Sequence, residues 1–149
     1  MNFEPFVFTH VFLSLMTVGF MLGTQSFLWS VSCNSAFGST LSFSLIPLFD
    51  KTAYRRQRLK LDISVTYFYF GHFMLHILPC ALIMYYPPQS VSILHVWVAH
   101  IIQIGWAYCV QGSVFVDDIY VPLQKQTWYK LWTLAFMGHY IPFMTFREM

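Results

Sequence analysis

The chain has 149 residues and a formal net charge of +2, and it is 57% hydrophobic, 20% aromatic and only 9% charged. A soluble domain carries about a quarter charged residues, so this chain lacks the polar side chains to cover a water-facing globule. Its basic residues form one short cluster rather than a binding face, which excludes a nucleic-acid partner.

The first apolar run, about residues 5–31, follows Glu4 rather than a basic segment and is too long for the core of a signal peptide. It reads as a retained membrane span, with Gly19 and Gly23 in the GxxxG spacing that lets a second helix approach. Residues 32–49 (SCNSAFGSTLSFSLIPLF) mix Ser, Gly, Asn and Pro into a moderately apolar run, too weak for a span, and read as a loop or interfacial segment.

Residues 50–62 (DKTAYRRQRLKLD) hold five of the eight basic residues: Lys51, Arg55, Arg56, Arg58 and Lys60. The positive-inside rule places this loop in the cytoplasm, or in the matrix of a mitochondrion. A second span is expected over 63–86, closed by Tyr85-Tyr86-Pro87-Pro88, since two prolines cannot continue a helix.

The third span, 91–116, contains no Asp, Glu, Lys or Arg and ends at Asp117-Asp118. About 20 apolar residues at 1.5 Å each already cross a bilayer core of about 30 Å. A polar link leads to the fourth span, 128–146, which opens with the interfacial aromatics Trp128, Tyr129 and Trp132. The expected fold is an all-α polytopic transmembrane bundle of about four spans in a single membrane domain. The loops at 50–62 and after Asp118 then share one face, where Asp117 and Asp118 could pair with the basic cluster. Backbone groups in lipid must be satisfied internally, and no alternating strand pattern appears.

All six histidines, His10, His72, His76, His95, His100 and His139, fall within expected spans. Ionisable groups at that depth point to haem ligation, metal binding, a proton relay or interhelical hydrogen bonding. Measured from the inner ends, His72 lies at roughly 14 Å, His139 at roughly 17 Å, His76 at roughly 20 Å and His100 at roughly 24 Å. Matched depths make His76 with His100, or His72 with His139, the haem pairs to consider. His72 and His76 also share a face, but no carboxylate lies at their depth, which favours haem over a catalytic non-haem metal. Cys33, Cys80 and Cys109 show neither zinc spacing nor a disulfide pattern and read as free buried thiols.

The run SVFVDDIYVPLQK resembles the end of the second membrane helix in the small anchor subunit of mitochondrial succinate dehydrogenase, complex II. There an Asp-Tyr pair closes the helix beside the ubiquinone pocket. Asp118 matches the aspartate, Pro122-Leu123 fits four residues on, and Tyr120 supplies the phenol in place of the residue directly after Asp118. The family's haem histidine falls on Ala107 here. The resemblance covers about 62–146, a three-helix anchor core with one extra N-terminal span.

It implies an inner-membrane anchor or accessory subunit of a respiratory complex, with no catalytic residues of its own. Asp118 and Tyr120 would line a quinone site for ubiquinone, and His76 with His100 a haem b site. The implied partners are a second membrane subunit, a soluble redox module and the lipid bilayer. Two alternatives remain open: an accessory subunit of another respiratory complex, or a small membrane iron-dependent fatty-acid dioxygenase. Gly105-Trp106, Gly112 and Phe115 resemble the latter family, whose Gly-His is Gly112-Ser113 here.

Overall fold

The computed structural model describes residues 8–60, 62–110 and 125–147. Every regular element among them is helical, so the all-α expectation holds at that level. Helix α1 (Phe8–Met21) ends in a turn where Gly23 adopts φ +99°, a left-handed conformation that glycine takes without steric cost. Ser26 then caps α2 (Phe27–Phe49), its hydroxyl accepting from the Trp29 N–H at 3.1 Å. Where one helix is expected over 5–31 there are therefore two, and the segment expected as a loop from Ser32 onward is the body of α2. Burial explains the reversal, because α1, the helix over 65–85 and the two long helices that follow it all pack on α2 and enclose its Ser and Asn side chains.

The basic segment is also largely helical, as α3 (Ala53–Lys60). Ser64 caps α4 (Val65–His72), which runs through a π-helical turn (Phe73–Ile77) into α5 (Leu78–Tyr85) as one 21-residue helix. Pro79 accounts for the wide turn. It has no N–H to offer, and its ring crowds the carbonyl four residues earlier. The Leu78 N–H reaches back five residues to the Phe73 carbonyl, and the Thr40 hydroxyl of α2 donates to the His76 carbonyl at 2.8 Å. Helices α6 (Ile93–Val110) and α7 (Lys125–Phe146) complete the fold.

Three bonds pin the turn before α6 to the start of α2. The Gln89 N–H donates to the Thr24 carbonyl at 3.1 Å, Trp29 Nε1 to Tyr86 O at 3.2 Å, and the Ser30 hydroxyl to Ser90 O at 2.7 Å. Met16, Trp29, Cys33, Ala36, Ile83, Val91 and Phe146 close over this turn end as its apolar core. Helix α7 crosses α2 antiparallel, with Gly138 against Gly38 and His139 against Asn34. Helix α6 runs beside α2 in the same direction. The C-terminus of α6 and the N-terminus of α7 therefore lie at the basic end, with α3.

Beside this apolar core the bundle buries many polar side chains and exposes many large apolar ones. Asn34, Ser30, Ser32, Ser35, Ser39, His76 and His139 are buried, while Phe20, Leu22, Tyr69, Phe70, Leu82, Trp97 and Met144 are exposed. Among the described residues one helix, Val65–Tyr85, is long and apolar enough to cross a membrane. The 23-residue α2 is longer, but six serines, an asparagine and a threonine dilute it.

Candidate functional site

Four of the histidines, His72, His76, His100 and His139, gather on two opposite faces of α2. Successive helix residues step by about 100° around the axis, which puts Asn34 and Gly38 roughly 150° from Thr40 and Phe43. Asn34 and Gly38 face α7 and α6, and Thr40, Phe43 and Ser44 face the helix over 65–85.

On the first face His139 is fully buried and bridges three helices. Its Nδ1 lies 2.8 Å from the Asn34 carbonyl and its Nε2 2.6 Å from the Gln103 side chain. The Asn34 carbonyl only accepts, so Nδ1 donates to it; Nε2 faces Gln103 Oε1, which accepts a second ring proton, or, with the amide turned over, a neutral ring accepts from its NH2. The His100 ring meets His139 edge-on at 5.5 Å and Phe136 at 4.9 Å. Gly38 makes this possible, since a Cβ there would lie 2.2 Å from the imidazole of His139.

On the second face the His76 ring stacks on Phe43 at 4.5 Å and 9°, with the His72 ring 5.1 Å away. Ser44 Oγ comes within 3.4 Å of His72 Nε2, and Cys80 Sγ donates to the Thr40 hydroxyl at 3.3 Å. The Nδ1 atoms of His72, His76 and His100 make no hydrogen bond.

The remaining ring described here has a local task. His95 Nδ1 accepts the Ser92 N–H at 2.9 Å, closing the first turn of α6 in the manner of a capping box. His10 lies on α1, and its side chain is outside the described residues.

The structure does not bring His76 and His100 together. Each has its own ring partner, and α2 stands between them; the same holds for His72 and His139. The expected haem pairs are thus set on different faces of α2, His72 and His76 against Phe43 and Ser44, and His139 against Asn34 with His100 beside it. Among the described residues no three His, Cys, Asp or Glu side chains converge to hold a metal ion, so the iron-dependent reading finds no ligand set among them. Cys33 and Cys80 are free thiols.

At the basic end the Arg56 guanidinium pairs with Asp50 and also meets the Thr52 hydroxyl. This hydrogen bond to Arg56 holds the Asp50 carboxyl below its ordinary value of 3.8. Tyr54 donates its hydroxyl to the Phe43 carbonyl and stacks on the Phe43 ring at 5.3 Å, and burial pushes that hydroxyl's pKa up. Asp117, Asp118 and Tyr120, expected to pair with the basic loop or to face a quinone, lie outside the described residues.

Asn34, Gly38, Gln103 and Gly138 escaped the sequence reading. One signal was available for Gly38: Ser35, Gly38, Ser39 and Ser42 follow i, i+3, i+4, i+7 spacing, a stripe of small residues suited to close helix contact. No known protein family, curated protein or solved structure matches the chain.

Proposed function

We propose that the chain is an integral membrane bundle that serves as an anchor or accessory subunit of a mitochondrial respiratory complex, and that it carries out no covalent chemistry of its own. The observation that carries the membrane part is the apolar exterior around a partly polar centre: Ser, Asn and His side chains are buried on and against α2, while the outer faces of the helices expose Phe, Tyr, Trp, Leu and Met. Water would penalise that surface and lipid would not. The helix over 65–85 spans about 31 Å at 1.5 Å per residue, enough for a bilayer core.

In this reading the other three long helices cross with it. One topology puts α3 and the link before α7 on the matrix side, where the positive-inside rule sends the basic residues. The complex II comparison rests on SVFVDDIYVPLQK, with Asp118 and Tyr120 as quinone contacts beside a second membrane subunit and a soluble redox module. The accessory role is favoured by what the histidines do. His139 ties three helices and His95 caps one, both structural tasks.

The decisive experiment is the mass-spectrometric identity of subunits that co-purify with the tagged chain from carbonate-washed membranes. Respiratory subunits, with the chain retained in the pellet, are the expected result; release by carbonate would overturn the membrane reading. If complex II subunits co-purify, Tyr120→Phe should weaken quinone binding roughly threefold to tenfold, the value of one hydrogen bond. Unchanged quinone kinetics would remove Tyr120 from the pocket.

A further inference from the structure

We propose that the basic end of the bundle binds the headgroup of an anionic phospholipid, with Lys51 and Arg55 as its contacts. The inference rests on the membrane reading and adds a ligand to it. Residues 50–62 carry five cations against two anions, Asp50 and Asp62. Two of these cations have other work: Arg56 is taken by Asp50, and Arg58 Nη1 donates to the Ile63 carbonyl at 3.2 Å, fixing the entry into α4. Among the described residues the Asp50–Arg56 pair is the only ion pair, and Lys51 and Arg55 are exposed without one.

The orientation of α3 is set from the inside. Tyr54 turns toward the bundle, with its hydroxyl on Phe43 O and its ring 5.3 Å from those of Phe43 and Phe68. On α3 the exposed Arg55 and Leu59 stand one turn apart, i and i+4, and the exposed Lys51 lies in the turn two residues before the helix begins. Val65 and Tyr69 are likewise exposed on α4, the helix that follows.

A soluble anion or an acidic peptide would satisfy the cations and leave Leu59 and Tyr69 in water. A phospholipid satisfies both, with the phosphate at Lys51 and Arg55 and the glycerol and acyl chains along the apolar surface. An anionic headgroup is preferred because a choline headgroup brings its own cation to a segment that already has three more positive than negative charges.

The test reconstitutes the full chain into nanodiscs of phosphatidylcholine with a tenth phosphatidylglycerol, removes bulk lipid with mild detergent, and quantifies retained lipid by mass spectrometry. Each basic side chain at a bilayer surface shifts the partition of an anionic group by about fivefold. Retained lipid should therefore be enriched several-fold in phosphatidylglycerol. Lys51→Gln with Arg55→Gln should bring the retained fraction back to about the bulk tenth, while Lys51→Arg with Arg55→Lys and the opposite-end control Arg147→Gln keep the enrichment. Circular dichroism checks that the variants remain helical.

Unchanged enrichment in the double variant, or equal loss in Arg147→Gln, would overturn the inference and leave the membrane reading intact. A chain that does not enter the nanodisc at all would overturn the membrane reading, and this inference with it.

Discussion

The crossing of α2 and α7 makes a sharp demand on one residue. A Cβ on Gly138 would lie 2.7 Å from Gly38 Cα and 2.7 Å from the Phe37 carbonyl oxygen. Both are backbone atoms that cannot rotate aside, so Gly138→Ala must part the helices by about 1 Å to reach an ordinary contact of about 3.5 to 4 Å. Parting them also stretches the His139 bonds at 2.8 and 2.6 Å. Overpacking of this kind costs about 1–3 kcal/mol, and weakening the buried bonds adds about 1 kcal/mol. The gain from replacing a helical glycine by alanine is about 1 kcal/mol, which leaves a net loss of about 1–3 kcal/mol.

Gly71 and Gly105 supply the internal control. A Cβ at either meets nothing within 4 Å, so Gly71→Ala and Gly105→Ala keep the propensity gain of up to about 1 kcal/mol. At about 2–4 °C per kcal/mol for a chain of this size, the melting temperatures should differ on the order of 10 °C. A thiol-reactive dye in detergent reads the transition, because Cys33 is buried and free and reacts on unfolding. Gly138→Ala melting at or above Gly71→Ala would refute the close crossing.

His139→Phe keeps the ring's shape but strands the Asn34 carbonyl and the Gln103 amide, so it should cost about 2–4 kcal/mol in the same thermal assay; wild-type melting would show that the bridge contributes little. Because α2 separates them, His76 and His100 should not ligate one haem, and a reduced-minus-oxidised b-type band lost in both His76→Ala and His100→Ala would contradict that geometry. The Asp50 carboxyl is held below its ordinary value, so its stabilisation is complete above about pH 4 and disappears as pH falls through the lowered value. Asp50→Asn should flatten that acid limb of a pH melt by about 1 kcal/mol or less, the pair being solvent-exposed, and an unchanged limb would dissociate it from Asp50.

The helices over 65–85 and from 93 onward were legible in the sequence because their signals are local. A charge-free apolar run announces each, and Ser64, Pro87 and Pro88 punctuate them. The break at Leu22–Ser26 was written less plainly. Gly23 matched a GxxxG spacing as well as a turn, and only the neighbouring Ser26, which caps α2 and donates to the Gly19 carbonyl at 2.9 Å, decides between the two. Gly19 does permit a close approach, but to the start of α2 at Leu28 and Trp29, the next element in the chain. The histidine depths were close to matched, yet depth along a span carries no information about azimuth. His76 and His100 can share a height and still face opposite sides of a third helix, and only the packing of that helix reveals it.

Helix α2 shows why averaging over composition misreads such a chain. Its polar residues look like loop formers, since Ser and Asn favour turns when their side chains compete for backbone groups. Here several of them resolve that competition within the helix, while Asn34 Oδ1 and the hydroxyls of Ser35 and Ser39 are buried without a hydrogen-bond partner among the described residues. Ser32 donates to Leu28 O at 2.6 Å, Asn34 to Ser30 O at 2.6 Å and Ser42 to Gly38 O at 2.8 Å, each four residues back. Others are taken by neighbours: Ser30 by the turn before α6, and Thr40 by the carbonyl that the π-helical turn presents. The same small side chains let α7 approach closely at Gly38, where bulkier residues would hold the helices apart. A polar, small-residue helix is thus poorly suited to the outside of this bundle and well suited to its centre. That placement in turn leaves the outer helices to present their Phe, Tyr, Trp and Leu side chains outward.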